Sequence, residues 1–156
     1  MARFFGEVRT QWLREGGPDR RMQLLENFAF EDDNGLRWEA PQDSIIDGAS
    51  IPEFLWSAAV GTPYVGDYRR ATVLHDVACQ EMSKPHKDVH RMFYDAMVTD
   101  GVAEAKAQQM YGAVRIFGPK WTVGATGMAE ALVVDTDEAT MDIDELEAAL
   151  DAALGE

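Results

Sequence analysis

Ile45-Ile46-Asp47-Gly48-Ala49-Ser50-Ile51-Pro52 divides the chain into two kinds of pattern. Upstream, apolar residues recur with the period of two that marks strands. Downstream, they recur at helical spacing. Leu36, Trp38 and Ala40 alternate just before the stretch, and Met22, Leu24, Phe28 and Phe30 share one phase across a single strand expected from Met22 to Phe30. Between them, Asp32-Asp33-Asn34-Gly35 is a hairpin turn, because Asn-Gly accepts positive φ at low cost. Phe4, Phe5, Val8 and Trp12 alternate loosely nearer the N-terminus, and Glu15-Gly16-Gly17-Pro18-Asp19 forms a turn.

The stretch itself opens the helical half. Ser50-Ile51-Pro52-Glu53 has the form of a capping box, which predicts a short helix through Phe54, Leu55 and Trp56. After a loop from Gly61 to Gly66, the spacing of Tyr68, Ala71, Thr72, His75, Ala78, Cys79 and Met82 predicts a helix over 67–82. Val89, Met92, Phe93, Ala96 and Met97 predict another over 86–99, stopped by Gly101. Ala107, Met110, Tyr111, Val114 and Phe117 mark a third, ended by Gly118-Pro119. Short connections make these helices antiparallel neighbours. The fold class is therefore α+β: a small N-terminal antiparallel β-sheet packed on a C-terminal helical bundle. The four tryptophans, Trp12, Trp38, Trp56 and Trp121, are expected in the core.

A chain of 156 residues, 46% hydrophobic, suits one core rather than two. The expected organisation is an α+β domain over 1–123, a linker over 124–140 and an acidic amphipathic tail helix over 141–156. Ten of the 28 acidic residues lie from Glu130 onward, and no Lys or Arg follows Lys120. The net charge of −14 therefore becomes −4 when the tail is set aside. Ile143, Leu146, Leu150 and Leu154 form one stripe of that tail, so it either docks, on its own domain or on a partner, or stays a solvated, partly frayed end. Neither part carries a basic stripe, which argues against direct nucleic-acid binding. No apolar run is long enough for a membrane span. Met1 to Val8 lacks the apolar run of a signal peptide, and the single cysteine, Cys79, suits a reducing compartment, where its helix face makes it a core thiol.

The polar residues around the boundary are the candidates for chemistry. His75 lies on the apolar face of its helix with Asp76 beside it, and Asp47 sits in the loop before them. In a helical hairpin His75 and His90 face each other. His86 and His90 share a face at a spacing that can bind one metal ion. Asp47, His75, Asp76 and His90 together offer mixed nitrogen and oxygen ligands suited to zinc, manganese or iron rather than calcium. Alternatively His75, Asp76 and Asp47 act without metal, His75 serving as general base on water. The opposing reading is a satisfied polar knot that fixes a loop on a helix. Ser50 is accounted for as a helix cap and lacks a Gly-x-Ser-x-Gly frame.

Residues 46–118 resemble a family of uncharacterised proteins common in tailed bacteriophages and prophages. The resemblance rests on Asp47-Gly48-Ala49-Ser50-Ile51-Pro52, Trp56, Tyr68-Arg69-Arg70, His75-Asp76, the segment Val89 to Met97 and the helix Met110 to Gly118. Where the family pattern has an aspartate, this chain has His90. That exchange keeps metal-ligand capacity and removes a permanent negative charge. The resemblance implies a phage context, and the expectation is a virion-associated structural protein of the tail or neck, docked to other virion proteins through its acidic segment, which lies outside the family pattern, or self-associating. Such a protein would occupy the host cytoplasm during assembly and then the virion. The alternative expectation is a metal-dependent hydrolase acting on the bacterial cell envelope.

Overall fold

A computed structural model describes residues 1–13, 21–48, 50–52, 68–122 and 141–156. Six short strands come first: β1 (Arg3–Phe5), β2 (Thr10–Trp12), β3 (Met22–Leu24), β4 (Phe28–Glu31), β5 (Arg37–Ala40) and β6 (Ile45–Ile46). Four helices follow: α1 (Arg69–Glu81), α2 (His86–Thr99), α3 (Glu104–Phe117) and α4 (Ile143–Leu154). The expected α+β class holds, with one refinement. The strands make two three-stranded antiparallel sheets, ordered β1-β4-β5 and β2-β3-β6, instead of one.

The division falls inside the strand expected from Met22 to Phe30. Leu25 turns its N–H to the Arg9 carbonyl (2.8 Å), and the Asn27 side chain accepts from the Gln42 N–H (2.8 Å). These bonds end β3 and start β4 in the other sheet. The break is invisible in the apolar phase because Leu24 and Phe28 are four residues apart, and both are buried. Gly6 makes the close approach possible. It sits at φ +82°, and a Cβ there would stand 2.8 Å from the Asn27 carbonyl oxygen.

The Asp32–Gly35 turn joins β4 to β5 as expected. Gly35 adopts φ +80° and donates to the Asp32 carbonyl, while the Asp32 carboxylate accepts from the N–H groups of Asn34 and Leu36. Trp38 is buried on β5, but Trp12 is largely exposed, against expectation, because β2 is an edge strand. Trp121 is half-buried. The expected short helix through Phe54–Trp56, with Trp56, the turn at Glu15–Asp19, the loop at Gly61–Gly66 and the linker over 124–140 lie outside the described residues.

Helix α1 packs on β5, β6 and α2; α2 packs on α3, and α3 on α4. Phe28, Phe30 and Trp38 from the strands meet Leu74, Val77, Phe93 and Met97 in one core. Gly101 ends α2 at φ +93°, as its position predicts.

The acidic helix docks on its own chain. Asp142 caps its N-terminus by accepting from the Asp144 N–H (2.9 Å), and Leu146, Leu150 and Leu154 are buried. Its acidic residues meet bases on α2 and α3. Asp144 and Glu147 bind Arg91, Asp151 binds Lys87 and Arg115, and Glu156 binds Arg115. Arg115 is fully buried, so this contact belongs to the interior of the domain. Among the described residues, no helix is long and apolar enough to cross a membrane.

Candidate active site

Two adjacent residues of α1 organise the loop that precedes it in sequence. The Asp76 carboxylate accepts from the backbone N–H groups of Asp47 (3.0 Å), Gly48 (3.4 Å) and Ser50 (3.3 Å). Gln80, one turn further, donates to the same carboxylate (3.3 Å) and to the Ile45 carbonyl (2.8 Å). Three main-chain donors converging on one anion form a nest, which lets a buried carboxylate exist without a cation. Burial pushes the Asp76 carboxyl above its ordinary range, and the bonds from Asp47 and Ser50 pull it back in part.

His75 faces the other way from the same turn of helix. Its Nδ1 lies 3.1 Å from Ser50 Oγ and its Nε2 lies 2.7 Å from His90 Nδ1. His90 Nε2 lies 2.9 Å from the Pro119 carbonyl oxygen. Phe93 packs on the His75 ring, 4.6 Å between centroids, and fixes its plane. All three polar residues, Ser50, His75 and His90, are buried.

The carbonyl at the end of this series decides where the protons are. A carbonyl only accepts, so His90 carries its proton on Nε2. Burial pushes the His90 pKa down to about 3, opposed in part by the Pro119 bond. The ring is therefore neutral and its Nδ1 is a lone pair. His75 must then donate from Nε2. Burial, with the neighbouring His90, holds His75 well below its ordinary range as well, so its Nδ1 is also a lone pair. That lone pair is aimed at the Ser50 hydroxyl. The same hydroxyl also reaches the Asp76 carboxylate, so one O–H faces two acceptors. The series His75, His90 and Pro119 thus has one consistent proton assignment, with the Ser50 hydroxyl between His75 and Asp76.

Cys79, one turn after His75, brings a third soft donor. Its Sγ lies 3.8 and 3.9 Å from the two ring nitrogens of His75. One ligand atom from each of His75, Cys79 and His90 lies within 4.8 Å of the others, all three residues are buried, and this group could hold a metal ion. Burial, then the nearby Asp76, pushes the Cys79 thiol far up, so it is protonated here.

The expected site residues divide between two structures. His75 and His90 face each other across the α1–α2 pair, as the hairpin argument predicts. The carboxylates of Asp47 and Asp76 do not join that group; Asp76 instead holds the loop of Asp47. His86 does not pair with His90 around a common point. Its Nδ1 bonds the Trp121 carbonyl (2.6 Å) and its Nε2 bonds Glu156 (2.6 Å). Ser50 and Cys79 were read as a cap and a core thiol, and the structure places both against His75. The His75-x-x-x-Cys79 spacing is the sequence signal that points to the second.

A family model described as "Protein of unknown function (DUF1353)" matches residues 22–114. That span holds every side chain of the series from Ser50 to His90, and stops before Pro119 and α4. Two uncharacterised proteins of Sinorhizobium fredii, y4jT and y4iH, are each 40% identical to this chain, over 126 and 98 residues. The matches cover 78% and 63% of this chain but 37% and 41% of the relatives, so the chain spans about two fifths of their length. No solved structure matches.

Proposed function

The chain belongs to the DUF1353 family, and from the geometry within the matched span we propose that it is a hydrolase that cleaves acyl esters with Ser50 as nucleophile and His75 as general base. The observation that carries this reading is the lone pair of His75 Nδ1 held 3.1 Å from Ser50 Oγ, with the opposite ring nitrogen fixed by His90. A serine is a weak nucleophile unless a positioned base takes its proton, and the base in turn needs an orienting partner. Here both partners are in hydrogen-bond reach.

In the proposed reaction Ser50 Oγ attacks the ester carbonyl carbon and its proton passes to His75 Nδ1. The imidazolium that forms keeps its Nε2–H on His90 Nδ1. It then gives the Nδ1 proton to the departing alkoxide, leaving an acyl-serine. Water repeats the sequence, with His75 taking its proton, and releases the acid. The amides of Asp47, Gly48 and Ser50 are occupied by Asp76, so they are not the donors for the oxyanion. Asp76 serves to place Ser50.

The test is labelling by a fluorophosphonate probe, which reports an activated serine. Wild type is expected to label at Ser50, while Ser50→Ala and His75→Gln do not. Absence of labelling in a folded, metal-free wild-type protein overturns the proposal.

A metal-dependent hydrolase is the second reading, favoured by the buried His75–Cys79–His90 group. Of zinc, manganese and iron, a donor set with sulfur selects zinc. This reading expects hydrolysis to disappear on chelation. The virion role expected from the phage resemblance rests on the acidic helix, whose charges are matched by Lys87, Arg91 and Arg115 of this chain.

A further inference from the structure

We propose that His75, Cys79 and His90 form a zinc site whose occupation switches Ser50 off. This rests on the hydrolase reading above, because the switch acts on the same His75.

One ligand atom from each of His75, Cys79 and His90 lies within 4.8 Å of the others, and the Cys79 sulfur, almost equidistant from the two His75 nitrogens, must swing toward Nε2 to close on one ion. At zinc–nitrogen and zinc–sulfur lengths of about 2.0 and 2.3 Å, tetrahedral ligands stand roughly 3.3 Å (N to N) and 3.6 Å (N to S) apart. Cys79 Sγ lies 3.8 Å from His75 Nε2, and His75 Nε2 lies 2.7 Å from His90 Nδ1. The two rings need to part by only about half an ångström. The outer contacts suit ligation too. Zinc-bound imidazoles characteristically donate their other N–H to a protein acceptor, which fixes the ring. His90 already does so to Pro119, leaving Nδ1 for the ion. His75 has Ser50 Oγ at its far nitrogen, leaving Nε2. Three protein ligands leave the fourth position open.

The protons determine the consequence. In the series described above, His75 Nε2 holds a hydrogen and Nδ1 the lone pair. Zinc takes the lone pair of Nε2, so the hydrogen moves to Nδ1 and is donated to Ser50 Oγ. The Ser50 hydroxyl proton then turns to Asp76. Serine now accepts from the group that would have deprotonated it, and its base is gone. The metal displaces the Cys79 thiol proton, which leaves to solvent, and both imidazoles stay neutral. One zinc ion binds and one proton is released. His75 Nε2 cannot carry the hydrogen and the metal together, so the two states exclude each other.

The experiment uses the full chain, with cobalt(II) as a spectroscopic probe and zinc(II) in the labelling assay. A thiolate-to-cobalt charge-transfer band is expected in wild type and not in Cys79→Ser. Ser50→Ala keeps all three donors, so it keeps the band with affinity weakened about tenfold. Zinc is expected to suppress fluorophosphonate labelling of wild type and to leave that of Cys79→Ser unresponsive. A protein that labels at Ser50 but gives no cobalt band overturns the zinc site and spares the hydrolase. A cobalt band without labelling, in the presence or absence of metal, overturns the hydrolase and the switch with it. Labelling or hydrolysis accelerated by zinc overturns the switch in favour of a metal-dependent reaction.

Discussion

Asp76 holds Ser50 by its backbone N–H (3.3 Å) while the adjacent His75 meets the hydroxyl of the same serine (3.1 Å). Two consecutive residues of one helical turn therefore grip one loop residue at its main chain and its side chain. The first grip sets where Ser50 is; the second sets what its hydroxyl can do. Helical geometry makes the pairing possible, since neighbours on a helix diverge by about 100° and can address two sides of a loop.

Asp76→Asn separates these two roles. An amide keeps one acceptor oxygen but turns an NH2 toward donors that include Asp47, Gly48 and Gln80. Buried donors left without an acceptor cost about 1–3 kcal/mol. Urea unfolding should show a loss of that order. Ser50 is buried, so labelling needs the loop to yield, and in this variant the loop yields more easily. Unchanged stability would remove Asp76 as the anchor of the loop.

His90→Asp tests the orienting partner. A carboxylate at this position would stabilise the His75 imidazolium, where a neutral imidazole only accepts a hydrogen bond. If this raises His75 basicity by about one pKa unit, labelling of Ser50 should accelerate roughly tenfold. The shorter side chain also deserts the Pro119 carbonyl, so the variant should be less stable. Unchanged labelling in a folded variant would mean that His90 does not orient the base.

The neutral histidine pair also makes stability depend on pH. Burial holds His75 well below its ordinary 6.5 and His90 at about 3. In the unfolded chain both titrate near 6.5, so the unfolded state binds more protons as pH falls below that value. Their contribution is complete above about pH 6.5 and is lost progressively toward pH 3. Urea midpoints measured at pH 7, 6, 5 and 4 should fall, and the slope should be shallower in His90→Asn. Parallel slopes would show that His90 takes up its proton alike in the folded and unfolded chain, against the neutral pair.

The helices and their inward faces were legible because each has a full period of apolar residues and a short connection to the next. The facing of His75 and His90 followed from the same two facts. The role of Ser50 was not legible, because its partner lies 25 residues on and a serine before a proline already has a local reason to be there. Cys79 was hidden by its own burial: an apolar face explains a thiol without reference to His75. The apolar stripe of α4 could be read from its spacing, but its docking surface could not. Lys87, Arg91 and Arg115 come from two other helices, and nothing local distinguishes the fully buried Arg115 from a surface arginine.

Removal of residues 141–156 should reach the relay from a distance. Glu156 bonds His86 Nε2 (2.6 Å), and His86 Nδ1 bonds the Trp121 carbonyl (2.6 Å). Two residues before Trp121, the Pro119 carbonyl receives His90 Nε2–H, which fixes the proton positions of His90 and His75. The docked helix thus bears on the carbonyl that orders the series, through one hydrogen bond and a short backbone segment. Leu150 anchors the helix, and burial of such a side chain against truncation to alanine is worth about 2–5 kcal/mol. Arg115→Met should weaken docking by a smaller amount, because Asp151 retains Lys87 and Glu156 retains His86. Both changes should lower hydrogen-exchange protection across Ile143–Leu154, Leu150→Ala more than Arg115→Met. Ser50 labelling should fall in the same order, with the truncated chain lowest. Full labelling of a truncated chain that remains folded would show that α4 lies outside the working part of the domain.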